Sequence, residues 1–270
     1  MKKSIATIKA SLVTGTLALL MLSACKWRHP NLTHAAITRD TLKYKYQEYT
    51  QKAGDCGKRA DSSCSNVRFS YPEFDQPELN GEVQARMVSL FQFHGFGKAR
   101  SMEQLADDFL AIYKADSSQN KLSYLLHINA RVITQDSSLT TLQVSGEQFS
   151  GKGHGGSMIT FVNWNNKTKQ PLALEDILKD NSADRLNAVA EKLFRARENL
   201  ADTASLKDYF FDHDKFQLNE NFLITPIGLR FLYNQQEIKP AAAGQTDLLI
   251  PYPFIRELLK PNTVIAQYHP

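Results

Sequence analysis

The chain has 270 residues and a formal net charge of +4, with 42% hydrophobic and 10% aromatic residues. That is enough apolar side chain to bury a real core, so a disordered chain is excluded; the length suits one large domain or two small ones. Lys2, Lys3 and Lys9 lie in an acid-free N-terminal leader; without them the charge falls to +1, which implies no basic face and makes nucleic acid a poor partner.

The leader begins Met1-Lys2-Lys3, runs through an apolar stretch from Ser11 to Met21 and ends in Leu22-Ser23-Ala24-Cys25. A positive start, a short apolar run and small residues at the end are the layout of a secretory signal peptide. A cysteine at the first mature position resembles the lipobox of bacterial lipoproteins. The resemblance implies cleavage before Cys25 and lipid on its thiol. The plainer alternatives are an ordinary secretory cleavage with an incidental cysteine, or a single membrane span. A span is disfavoured because the run falls short of about 20 lipid-facing residues. The expected organisation is a signal peptide over 1–24 and an anchor and tether over 25–40. An α+β subdomain with a disulfide loop follows over 41–170, and a second α+β subdomain over 171–270. Lys26 follows the cysteine where an aspartate would signal inner-membrane retention in the enteric scheme, so the expected address is the periplasmic side of the outer membrane.

The first strand is expected over Thr41–Tyr46, where apolar and polar residues alternate. A polar Gly/Ser loop carries Cys56 and Cys64, and a second strand over Val67–Tyr71 is expected to stop at Pro72. Two cysteines in one loop of an exported chain should pair. A redox site would favour Cys-x-x-Cys and a zinc site four ligands, and neither pattern is present. Together these features predict a hairpin clipped by a disulfide near its turn.

Three helices are signalled. Asn80 is a candidate N-cap for a stripe of Val83, Met87, Leu90 and Phe91. Ser101 and Gln104 fit a capping box ahead of Met102, Leu105, Phe109 and Ile112. From Ser182 to Asn199, Leu186, Val189, Ala190, Leu193 and Phe194 keep helical spacing. Strands are expected over Tyr124–Val132, Leu139–Ser145 and Met158–Trp164, the last closed by an Asn165-Asn166 turn. Phe222–Ile224 and Leu229–Tyr233 form a hairpin across Pro226 and Gly228, followed by Asp247–Ile250 and a short last helix from Pro253 to Leu259. Short connections favour antiparallel pairing. The predicted class is α+β: antiparallel sheets with amphipathic helices packed on them.

The chemistry-bearing stretches are few. Gly151-Lys152-Gly153-His154-Gly155-Gly156 matches G-x-G-x-x-G, but a strand follows where dinucleotide binding needs a helix N-terminus. A tight loop needing positive φ is the better account. Lys152 and His154 could bind an anion there; a hairpin loop with a hydrogen-bonded histidine is the simpler reading. Ser157 is not in a nucleophile elbow. The histidines at 29, 34, 94, 127, 154, 213 and 269 lack metal-ligand spacing. Asp212-His213-Asp214 could hold a metal, but an exposed charged turn is simpler. Glu175-Asp176 and Glu237 could form a carboxylate pair for glycan hydrolysis. No catalytic motif, cofactor site or metal site is predicted, and enzyme evidence is weak throughout.

Several segments resemble one family as a set. Asn163-Trp164-Asn165-Asn166 through Leu172-Ala173-Leu174-Glu175-Asp176-Ile177-Leu178 is similar to a strand, a turn and "L-x-L-x-D-[LI]-[FL]". Phe149 to Gly155 resembles an aromatic-x-Gly-Gly-Ala-His-Gly loop, and Phe222 to Phe231 resembles "F-x-[LI]-T-P-x-G-L-x-F". Glu237 to Gly244, then Ile250-Pro251-Tyr252, resembles "Y-E-I-A-P-Y-A-A-G" and "I-P-Y". This is the extracytoplasmic module shared by RsiV-type anti-sigma factors and PdaC-type peptidoglycan deacetylases, matched in order from about Thr41 to Leu259. Lys152 replaces a glycine and Gly153 an alanine; Gln236 and Ala241 stand where tyrosines are usual, and Gln245 where proline is common. The deacetylase's T-F-D-D-G and H-x-x-x-H are absent. The resemblance implies a non-catalytic, lipid-anchored envelope protein that binds a lysozyme-like protein or peptidoglycan. Lys152, His154 and Glu237 are its candidate ligand contacts. The alternative is an envelope glycan hydrolase or deacetylase.

Overall fold

The computed structural model describes residues 41–58, 64–91, 99–116, 122–151 and 155–268. The larger sheet has six strands in sequential order: β1 Tyr44–Lys52, β2 Asn66–Phe74, β3 Leu125–Gln135, β4 Leu139–Phe149, β5 Gly156–Asn165 and the two-residue β6 Gln170–Pro171. Neighbours are antiparallel except β2 and β3, which run parallel with Phe69 opposite Ile128. The expectation of antiparallel pairing fails there because two helices, α1 Pro77–Ser89 and α2 Met102–Asp116, lie between those strands. A crossover that long returns the chain to the same end of the sheet.

Strand alternation decides which side the helices cover. Leu126, Ile128 and Ala130 of β3 and Leu142 and Val144 of β4 point inward, where they pack with Val83 and Met87 of α1 and Leu105 and Phe109 of α2. Met102, Leu105 and Phe109 of the expected α2 stripe are buried, and only its last position shifts: Ile112 is 40% exposed and Tyr113 is buried instead. Ser101 Oγ accepts the backbone N–H of Gln104 at 3.1 Å, as a capping residue should. The Gln104 side chain reaches past Ser101 to the N–H of Arg100 at 3.0 Å.

Two expectations near β2 are corrected. The helix N-cap is Gln76, with Pro77 at the first helical turn, so Asn80 lies inside α1. Its carboxamide instead closes the end of β2, accepting from Phe74 N–H at 2.8 Å and donating to Phe74 C=O at 2.9 Å. The strand also runs through Pro72, which pairs with Tyr46. N–H groups two residues apart in a strand point the same way, and that of Phe74 points away from β1 to Asn80. The N–H that proline lacks would have faced that side too, past the last β3 partner at Ser70. The predicted disulfide is present: Cys56 and Cys64 are bonded across the β1–β2 connection.

The smaller sheet is an antiparallel meander of β7 Phe222–Thr225, β8 Gly228–Tyr233 and β9 Thr246–Pro251. Before it come the short α3 Leu174–Ile177 and then α4 Ala183–Arg197, whose Leu186, Ala190 and Phe194 are buried against it. Phe194 is the hub of an aromatic cluster, 5.1 Å from the rings of both Tyr209 and Phe216 and 5.5 Å from Phe211. Pro251 caps α5 Tyr252–Ile255, and a 3-10 turn over Arg256–Leu258 completes the expected last helix.

Asparagines fasten the two sheets together. β6 covers only Trp164 and Asn165, so β5 would otherwise expose an open edge. Asn163 donates to Phe222 C=O and accepts from Ile224 N–H, both at 2.8 Å. Asn221 accepts from Phe161 N–H at 3.1 Å and donates to Ile159 C=O at 2.9 Å. Asn234 accepts from Ile159 N–H at 2.7 Å and donates to the same carbonyl at 3.0 Å. A carboxamide offers a donor and an acceptor with the spacing of a peptide group, so these side chains stand in for a missing strand. Phe161, Leu223 and Leu232 pack together beside them.

Candidate functional site

The glycine-rich loop joins β4 to β5. Gly151 has φ +76°, the left-handed backbone that the sequence predicted for this loop. At Gly155 a Cβ would meet the backbone oxygen of Gln148 at 2.8 Å, so the chain approaches too closely for a side chain. β5 follows directly and no helix does, so nothing here matches a dinucleotide fingerprint. Lys152 and His154 lie outside the described residues, as do Cys25 and the anchor segment.

Beside this loop, the solvent-facing side of the larger sheet carries a groove of about 270 Å³, lined by Leu125, His127, Glu147, Phe149, Gly156 and Ser157 among others. A second hollow of about 320 Å³ shares His127, Glu147 and Ser157 and continues past Asn129 and Ser145 to Ile159 and Gln245. Strand register builds the floor. Leu125 lies opposite Phe149, His127 opposite Glu147 and Asn129 opposite Ser145. Glu147 in turn faces Ser157 across β4–β5. Directly opposed residues share a face, so the groove begins apolar and becomes polar along the strands.

His127 is held by a chain of contacts that starts at the disulfide. Asn66 donates its amide to the Cys64 carbonyl at 3.0 Å, which turns its Oδ1 toward His127 Nε2, also at 3.0 Å. That oxygen can only accept, so Nε2 carries the proton and Nδ1 is the acceptor. Burial lowers the proton affinity of the ring, the neighbouring Arg68 charge lowers it further, and Glu147 partly opposes both. The strand alternation over 124–132 already placed His127 on the polar face. Its meeting with Glu147 needed the β3–β4 register.

The other expected carboxylates have other partners. Glu237 accepts from Asn219 Nδ2 at 2.7 Å and from Asn234 N–H at 2.7 Å, and so orders the turn behind the asparagine seam. Asp176 accepts from Ala173 N–H at 2.8 Å at the start of α3. No hydrogen bond brings these two acids together among the described residues. Asp212 and His213 form an exposed turn, each side chain 84% accessible and 3.5 Å from the other. They edge a hollow of about 720 Å³ between α4 and residues 212–220. No group of three His, Cys, Asp or Glu side chains suited to a metal occurs among the described residues.

The fold defines a class of α+β proteins represented among solved structures. A DUF3298-family protein from Pseudomonas aeruginosa PAO1 superimposes with a TM-score of 0.66 at 20% identity, covering 82% of this chain and 95% of that one. A member from Bacteroides fragilis NCTC 9343 gives 0.63 at 19% identity, covering 84% and 97%. Within the chain, residues 175–253, from α3 to the start of α5, match the family model described as a protein of unknown function, DUF3298. The β3, β4 and β5 residues that floor the groove around His127 lie outside that segment, and Gln245 of the adjoining hollow lies within it. No curated protein matches the chain.

Proposed function

We propose that this is a lipid-anchored binding protein of the bacterial envelope, attached through Cys25, with no catalytic role. Its ligand is a lysozyme-like protein or peptidoglycan, the two classes implied by its resemblance to RsiV-type and PdaC-type proteins. The observation that carries the reading is the groove itself. It is open, mixes apolar and polar groups, and its His127 is oriented by Asn66, which bonds the carbonyl of the disulfide-linked Cys64. Disulfides persist in oxidising compartments, which suits an exported protein. His127 donates to an amide oxygen, and among the described residues no serine or cysteine side chain hydrogen-bonds it in the manner of an activated nucleophile.

The test is capture from envelope extract with the purified full chain, alongside direct titration with lysozyme and with solubilised peptidoglycan. Saturable binding of either supports the proposal. Hydrolysis of peptidoglycan or release of acetate, with or without divalent metal, defeats it in favour of the enzyme alternative.

A further inference from the structure

We propose that the β3–β4 groove takes a neutral glycan segment, with the apolar face of a sugar ring on Phe149 and Leu125 and its polar substituents on Glu147, His127 and Ser157. The inference rests on the reading of the chain as an envelope binding module and chooses between its two ligand classes.

Three observations carry it. The first is the order of groups. A sugar ring presents C–H bonds on one face and hydroxyl or amide groups around its rim. The groove offers an aromatic and an aliphatic side chain in one row, and a carboxylate, an imidazole and a hydroxyl in the next. The rows are two residues apart, roughly 7 Å along a strand, close to the length of one ring.

The second is charge. Among the described residues, Arg68 and Glu147 flank His127 on β2 and β4, so their charges offset and favour neither a polyanion nor a strongly cationic protein. His127 Nδ1 has no partner among the described residues and is placed to accept a hydroxyl or amide N–H.

The third is size. A stable protein partner covers about 800 Å² per side. Hollows of about 270 and 320 Å³ are instead at the scale of small-ligand sites.

The experiment titrates the full chain with chitotetraose by calorimetry and follows the β3–β4 amides by NMR. Glu147→Ala and Phe149→Leu should each weaken binding at least tenfold. Glu147 is exposed, so its variant should keep the parental melting temperature. Lys215→Ala, in the 212–220 hollow, should bind as the parent does. Absence of saturable binding, or binding indifferent to both groove variants, overturns the inference. Lysozyme binding without chitotetraose binding overturns the glycan assignment but keeps the binding-module reading. Cleavage or deacetylation of chitotetraose, abolished by Glu147→Ala, overturns the non-catalytic reading while keeping the groove as a glycan site.

Discussion

Asp136 shows how much one side chain can organise. Its Oδ1 accepts the N–H groups of Ser138 and Leu139 at 2.7 and 2.8 Å, closing the β3–β4 turn. Its Oδ2 accepts from Gln267 at 2.9 Å and from the Tyr268 hydroxyl at 2.8 Å, which ties the C-terminal segment to the larger sheet. Burial alone would raise its pKa, but the bonds from Ser138, Tyr268 and Leu139 outweigh it and hold the carboxyl below its ordinary range. A carboxylate whose folded pKa is depressed stabilises the fold above its unfolded value and loses that contribution as pH falls through the folded one. Urea melts should therefore show an acid loss beginning below about pH 4 that Asp136→Asn removes. At neutral pH the same variant should cost about 1–2 kcal/mol, kept modest by solvent access to the site. His127 gives the other pH window. Its folded pKa is lowered, so the unfolded chain takes up the proton first and stability falls as pH drops below about 6.5. Melting temperatures measured at several pH values between 5 and 7.5 should converge for His127→Gln and fall on acidification for the parent.

At the scale of elements, the seam between the sheets is made of side chains doing the work of a strand. Removing a carboxamide there leaves backbone groups of β5 or β7 buried and unpaired, at about 1–3 kcal/mol for each group. Asn163→Ala should lower the melting temperature and raise light scattering, because the β7 edge groups it satisfies, Phe222 C=O and Ile224 N–H, become available to other chains. A melting temperature unchanged within a degree would show that the seam adds nothing. The hairpin clip can be read the same way. Cys56 and Cys64 are eight residues apart, so the bond removes a short loop's entropy from the unfolded chain, roughly 2–3 kcal/mol. Reduction should cost that much in equilibrium unfolding. It should also broaden the NMR signal of His127, because the Cys64 carbonyl orients Asn66, which orients the ring.

At the scale of the whole molecule, two cores are joined through the asparagine seam and the Asp136 contacts, and the described residues form one compact unit. The boundary expected at 170/171 falls at β6, the last strand of the larger sheet. The proposed lipid anchor is tested on the intact chain. One acyl chain anchors only marginally, whereas two or more hold firmly. Cys25→Ala should therefore release the protein from membranes or leave it unprocessed. A variant that stays membrane-bound after a salt wash and runs at the processed mass would refute the anchor.

What the sequence determined alone was local. The α4 stripe of Leu186, Ala190 and Phe194, the inward alternation of Leu126, Ile128 and Ala130, the left-handed Gly151 and the Cys56–Cys64 pair all follow from neighbours within about a dozen residues. Backbone period and loop closure decide such features before any distant contact forms. The misreadings came where the position in the sheet outweighed a residue's usual preference. Asn80 has the chemistry of a helix cap, but the end of β2 needed its carboxamide more. Pro72 reads as a strand stop, yet it occurs where its missing N–H faces no strand. Only the tertiary structure paired β2 with β3 in parallel, set His127 against Glu147, and brought Tyr268 to Asp136 across 132 residues. Register and crossover direction depend on burying both cores at once, and no window of sequence contains that condition.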